Sequence, residues 1–305
     1  MIPRCFRPLA ALAAGLALAA PAPAATILLN DTFADGSRGQ TNLPTESAVF
    51  VSAAANATVT PGSLSYTQTT ASQRLHTHFA AAGSPVSIGV GQSLKATIEF
   101  YARDGLGTST GRNFRVGLFR DPDGTQVAAD GYNDGGGSGN PWQNAEGYAT
   151  FFPLTTAPGS TQLFQILKRT VVDGTQTSLL GAAGAYTAGP SGGGLITAAL
   201  NNLYTLTFTI DRIGATQANV TATLSDGSGQ LATLTALDTT DGTSQLGAGA
   251  PYSSFDTLAF RFSAADGTAN RLEFTRFKVE LTPEPASLGL LGLACTALAA
   301  FRRRR

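Results

Sequence analysis

"LKATIEFYAR", Leu94–Arg103, decides the fold of this chain. Successive side chains of an extended strand point to opposite sides, so Leu94, Ala96, Ile98, Phe100 and Ala102 share one face while Lys95, Thr97, Glu99, Tyr101 and Arg103 share the other. One face is built to pack and one to meet water. The alternation recurs in "NFRVGLF", with Phe114, Val116 and Leu118 inward, and in "YTLTFTIDR", with Tyr204, Leu206, Phe208 and Ile210 inward. It recurs again in "ANVTATL", with Ala218, Val220, Ala222 and Leu224 inward. The link "RIGAT" joins these last two segments as a hairpin, with Gly214 supplying the turn geometry.

Farther out, "RLEFTRFKVEL" shows alternation that slips: Leu272 and Phe274 share one parity, while Phe277, Val279 and Leu281 take the other. A bulge near Thr275–Arg276 restores a single buried face. "GPSGGG", ending at Gly194, is expected to be a loop within one domain rather than a boundary between two. Helical periodicity over three turns is absent outside the terminal segments, so the body is expected to be all-β, a sandwich or a barrel rather than an α/β fold.

Of 20 basic residues, six (Arg4, Arg7 and Arg302–Arg305) lie in the two terminal segments, which leaves 14 against 20 acidic residues in all. A mildly acidic body has no basic field to gather phosphate backbones, which excludes nucleic acid as the expected partner. Both cysteines, Cys5 and Cys295, also lie in the terminal segments. Thiol chemistry and cysteine-ligated zinc are therefore excluded from the body.

The start places Arg4 and Arg7 before an apolar run, Leu9–Ala20, and then small residues around Ala22-Pro23-Ala24. Twelve residues fall short of the roughly 20 that span a bilayer, and the pattern is that of a secretory signal peptide over residues 1–24. At the other end, Ala286–Phe301 is apolar for 16 residues, roughly 24 Å as a helix at 1.5 Å per residue. Four arginines, Arg302, Arg303, Arg304 and Arg305, follow it and would stay cytoplasmic by the positive-inside preference.

Pro283-Glu284-Pro285, this short apolar segment and the terminal arginines together resemble the PEP-CTERM sorting signal of exported bacterial proteins. The resemblance implies export through the translocon, transient insertion in the inner membrane, and tail removal by a membrane enzyme, exosortase. It also implies a final place at the cell surface or outside the cell. The two prolines cannot extend a helix, so they hold an extended segment where a processing site could grip it. The opening "ILLNDTFADGSR" and the returning final strand are similar to the concanavalin A-like jelly roll, in which the first and last strands are neighbours. The expected organisation is thus a signal peptide at 1–24, a two-sheet antiparallel sandwich at 25–281, and a sorting tail at 282–305. That tail comprises a Pro-Glu-Pro motif at 283–285, a transmembrane helix at 286–301 and an arginine cluster at 302–305.

Four groups of residues are candidates for chemistry. Trp142, Tyr101, Arg103 and Arg115 offer flat rings and forked donors to sugars, although Trp142 also fits a plug at one end of the sandwich. Asp121, Asp123, Asp130 and Asp134 lie on glycine-rich turns that suit a structural calcium, but lack the spacing of an EF-hand. No other cofactor is expected. His76 and His78 project from one face of a strand and could share a transition metal; the plainer expectation is two solvent-facing histidines opposite Leu75, Thr77 and Phe79. Hydrolysis of a glycosidic bond needs two carboxylates roughly 5 to 10 Å apart, for which Glu99 with a partner from 121–134 is the best available pair. The expected function is that of an exported structural or adhesive surface protein, binding exopolysaccharide of the biofilm matrix. The alternative is a polysaccharide hydrolase or lyase of the same fold.

Overall fold

Strands with one apolar face must find a second apolar face to cover it, and the chain answers with two stacked sheets. A computed structural model describes residues 24–69, 73–108, 111–132, 142, 144–159, 163–170, 179–181, 185–262 and 269–283. The expected signal helix, transmembrane helix and arginine cluster lie outside them.

Among the described residues, the larger sheet runs β14 (Gly229–Thr239), β13 (Gln217–Asp226), β12 (Leu203–Gly214), β7 (Gln92–Leu106), β17 (Ala269–Pro283), β4 (Ser63–Thr67) and β3 (Ala57–Thr60), with β1 (Thr26–Asp31) also on β17. The second sheet runs β11 (Tyr186–Gly192), β10 (Phe164–Arg169), β9 (Glu146–Phe152), β8 (Phe114–Arg120), β16 (Thr257–Phe262), β5 (Gln73–His78) and β2 (Val49–Val51). A short pair, β6 (Val86–Ser87) and β15 (Ser254–Phe255), forms a separate two-stranded sheet. The strand pairings are antiparallel, and the first and last strands are neighbours, as expected.

The inward residues read from the sequence are the core. Leu94, Ala96, Ile98, Phe100 and Ala102 are fully buried, as are Phe114, Val116, Leu118, Leu206, Phe208 and Ile210. Phe100 of the larger sheet stacks on Phe114 of the second at 5.0 Å, and Phe260 stacks on Phe277 at 4.9 Å. Burying each such ring contributes roughly 1.5–3 kcal/mol. In β17 the parity changes where expected, with half-exposed Thr275 and Arg276 between buried Phe274 and Phe277. The change falls where β17 exchanges one neighbour for another: it pairs with β4 up to Phe274 and with β1 from Phe277.

Two local expectations need correction. The β12–β13 hairpin forms, but Gly214 pairs with Gln217 at the strand ends and does not adopt a left-handed conformation. "GPSGGG" belongs largely to β11, which is the edge strand of its sheet. Pro190 is tolerated there because an edge strand has one free side, and a register shift between Gln165 and Leu167 absorbs it.

The second sheet is covered on its outer face as well. Phe119, Ala149, Phe151, Leu167 and Ala259 lie under Val127, Trp142, Leu179 and Leu180, forming a separate apolar layer. The Phe119 ring fills the space that a side chain at Gly117 or Gly147 would take.

Candidate functional site

That outer layer decides the fate of several candidate residues. His76 and His78 are 2% and 8% exposed, not solvent-facing, because loop residues pack over the strand that carries them. His76 stacks on Tyr132 at 4.9 Å. His78 has Nδ1 2.9 Å from the Thr257 hydroxyl, and its Nε2 lies 3.1 Å from the Val127 carbonyl. Burial pushes His76 well below the usual histidine range and His78 down to about 4. Trp142 is 3% exposed and edge-on to His76 and Tyr132, and its carbonyl accepts from Arg169 at 2.6 Å. It roofs the sheet rather than plugging an end, and its ring is enclosed, so a sugar has no face to stack on.

The four candidate sugar-binding residues do not converge. Arg115 and Trp142 are on the outer side of the second sheet, whereas Tyr101 and Arg103 are on the outer face of the larger one. There the Arg103 guanidinium sits 4.1 Å from the Tyr101 ring centre and donates to Glu273 at 2.9 Å and Asn201 at 2.8 Å. Glu99 pairs with Arg276 at 3.6 Å on that same face, so it cannot meet a partner from 121–132 on the opposite side.

The described aspartates are engaged by neighbouring groups, and the Asp123 N–H donates to the Asp121 carboxylate at 2.9 Å. Asp130 is held by Arg38 at 2.5 and 2.9 Å and by the Val51 N–H. Asp123 accepts from Asn144 at 2.5 Å. Asp134 lies outside the described residues. Asp121 instead neighbours Asp256, a carboxyl the sequence reading passed over; each has one buried oxygen without a partner. Burial, with Asp121 adding to it, pushes Asp256 up to about 6. Among the described residues no three His, Cys, Asp or Glu side chains are grouped to hold a metal. The three described aspartates, Asp121, Asp123 and Asp130, do not form such a group.

A groove with polar walls lies elsewhere. Arg120 and Glu146 face each other at the ends of β8 and β9, with a guanidinium–carboxylate separation of 4.0 Å. Beyond them opens a groove of about 440 Å³, walled by Lys168, Thr170 and Tyr252 and by the backbone of 248–251. A second hollow of about 420 Å³ adjoins it at Ala248 and Gly249. The wall is rigid for an electrostatic reason. Lys168, 1% exposed, places its ammonium 2.9 Å from Asp238 and donates to the Gly249 and Ala250 carbonyls at 3.1 and 2.9 Å. It also sits 5.1 Å from the centre of the Tyr252 ring. Asp238 accepts from Tyr148 at 2.6 Å, the Tyr148 oxygen accepts from the Tyr252 N–H at 2.8 Å, and the Tyr252 hydroxyl donates to the Arg169 carbonyl at 2.6 Å. One ring edge, one guanidinium, one carboxylate and fixed backbone carbonyls are the groups that hold a hydroxyl-rich ligand. No periodicity in "GAGAPYSS", Gly247–Ser254, points to this groove; its small residues and single tyrosine were the available signal.

At the C-terminus, the family model for the PEP-CTERM protein-sorting motif matches residues 281–305. The chain ends in a PEP-CTERM sorting motif. That motif implies export and exosortase-mediated sorting to the cell surface, and it contains Pro283, Glu284, Pro285 and the arginines Arg302–Arg305. Among solved structures, the chain is similar to VIP36 exoplasmic/lumenal domain in its Ca2+/Man-bound form, with 10% identity over 84% of this chain and 91% of that one and a TM-score of 0.48. Peanut lectin with a nine-residue peptide gives 13% identity, 85% and 98% coverage and a TM-score of 0.44. An endo-1,3-beta-glucanase from Streptomyces sioyaensis gives 11% identity, 87% and 99% coverage and a TM-score of 0.44. No curated protein matches the chain in sequence. The two-sheet sandwich itself rests on the strand pairing given above.

Proposed function

We propose that the processed protein is a structural or adhesive component of the cell surface or extracellular matrix, with a concanavalin A-like body that holds extracellular polysaccharide in the Arg120–Glu146–Tyr252 groove. The observation that carries this is the prebuilt wall: Lys168 and Asp238 immobilise the loop that faces Arg120 and Glu146, so binding orders little new structure. The sorting motif supports the setting, since it directs the body to where such polymers are.

A hydrolase or lyase of the same fold is the competing reading. Glu146 is the one carboxylate among the described residues lining the groove, whereas glycoside hydrolysis uses two. Affinity electrophoresis through gels containing the native matrix polymer tests the proposal. Glu146→Gln and Arg120→Gln are each expected to weaken retardation about tenfold, equivalent to about 1.4 kcal/mol. Unchanged retardation of both variants would overturn the groove, and release of new reducing ends would favour the enzyme.

A further inference from the structure

Ala248 and Gly249 line both the groove of about 440 Å³ and the hollow of about 420 Å³, so the two spaces meet at these residues. Both residues are exposed, and they bring nothing larger than a methyl group to the junction. Gly247 and Gly249 hold φ of +84° and +97°, where L side chains are strained, so the crest of the loop stays free of bulk. Thr240, Gly242 and Ser244 line the hollow beyond, where the described lining carries hydroxyls and no ionisable side chain. One buried carboxylate fixes the two spaces to each other. Asp238 holds Lys168, whose ammonium clamps the Gly249 and Ala250 carbonyls, and it accepts from the Ser244 hydroxyl at 3.1 Å. The Ser244 oxygen accepts from the Leu246 N–H at 3.1 Å. Gln245 accepts the Leu237 N–H through Oε1 at 2.8 Å and donates its own N–H to the Leu237 carbonyl at 2.9 Å. The loop between the two spaces is thus pinned from below at Ser244, Gln245, Gly249 and Ala250.

We propose that groove and hollow form one continuous binding track, which takes a stretch of several consecutive sugar residues laid across Ala248 and Gly249. The inference rests on the polysaccharide reading and adds to it the second half of the site and the length of chain held. Each space alone falls within the roughly 300–1,000 Å³ of a site for one small ligand, so a ligand that fills both is an oligomer. A chain already held in the groove meets the hollow as an intramolecular contact, which raises affinity without a second association cost. Because the intervening loop is fixed beforehand, little of that gain is lost in ordering it.

The test is titration of the mature secreted protein with size-graded fragments of the native matrix polymer, from disaccharides upward. Thr240→Trp, Ala248→Phe and Glu146→Gln variants, with their melting temperatures recorded, are titrated alongside. Affinity is expected to step up at least tenfold once fragments are long enough to reach the hollow. Thr240→Trp, which fills the hollow only, should remove that step and leave disaccharide binding at the wild-type level. Ala248→Phe should remove the step by blocking the crossing, and Glu146→Gln should weaken disaccharides and long fragments alike. Affinity that rises only in proportion to chain length, or a step that survives in the folded Thr240→Trp and Ala248→Phe variants, overturns the track. If Glu146→Gln still weakens binding in that case, the groove reading stands; if neither the fragments nor the intact polymer bind, both readings fall.

Discussion

His78 and Asp256 meet at the Thr257 hydroxyl, and their ionisation preferences oppose each other. His78 titrates near 4 in the fold, against 6.5 ordinarily, so between those values the native state binds fewer protons than the unfolded chain. Its contribution to stability is therefore present above about pH 6.5 and lost as pH falls towards 4. Asp256 is the reverse: raised from 3.8 to about 6, it favours the fold below about pH 4 and opposes it as pH rises through 6. His78→Gln retains a donor for the Val127 carbonyl and removes the first titration. Its melting temperature is expected to gain on the wild type as pH falls from 6.5 to 4. Asp256→Asn is expected to gain on the wild type as pH rises from about 4 through 6, by on the order of 1–3 kcal/mol at neutral pH. Differences that stay flat across pH 4–7 in thermal scans would contradict both assignments.

At the scale of elements, β10 of one sheet is tied to β14 of the other by the buried Lys168–Asp238 pair. Removing one partner strands the other charge, so Lys168→Met is expected to cost about 3–5 kcal/mol in urea unfolding, and Lys168→Met with Asp238→Leu distinctly less. A double-variant loss equal to the sum of the Lys168→Met and Asp238→Leu losses would show that the pair is not coupled. The strands themselves were legible because β7, β12 and β13 each pack one face and wet the other, which writes a period of two into the sequence. The parity slip in β17 was legible for the same reason. The outer layer over the second sheet was not, since His76, His78 and Trp142 owe their burial to residues distant in the chain. "YATFF" did carry a trace of it, in an apolar run with no polar face. The groove depends on where 248–254 comes to rest against β8 and β9, which no local pattern encodes.

At the scale of the whole molecule, the two outer faces do different work. The larger sheet turns outward paired charges, such as Lys95–Glu280 at 2.6 Å and Arg103–Glu273 at 2.9 Å, beside bonded threonine pairs, Thr221–Thr235 and Thr223–Thr233. Its charges are largely satisfied within the sheet. The second sheet carries its apolar outer layer instead, and the end of the sandwich offers the groove. The proposed function depends on the body being delivered outside the cell, which the PEP-CTERM motif at 281–305 implies. The most direct measurement is the intact mass of the protein from culture supernatant and membrane fractions, in cells with and without their exosortase. The account predicts a mature form that lacks both about the first 24 residues and the segment beyond the Pro283-Glu284-Pro285 motif, with tail removal dependent on exosortase. A protein that keeps its tail and stays in the inner membrane of exosortase-containing cells would contradict it.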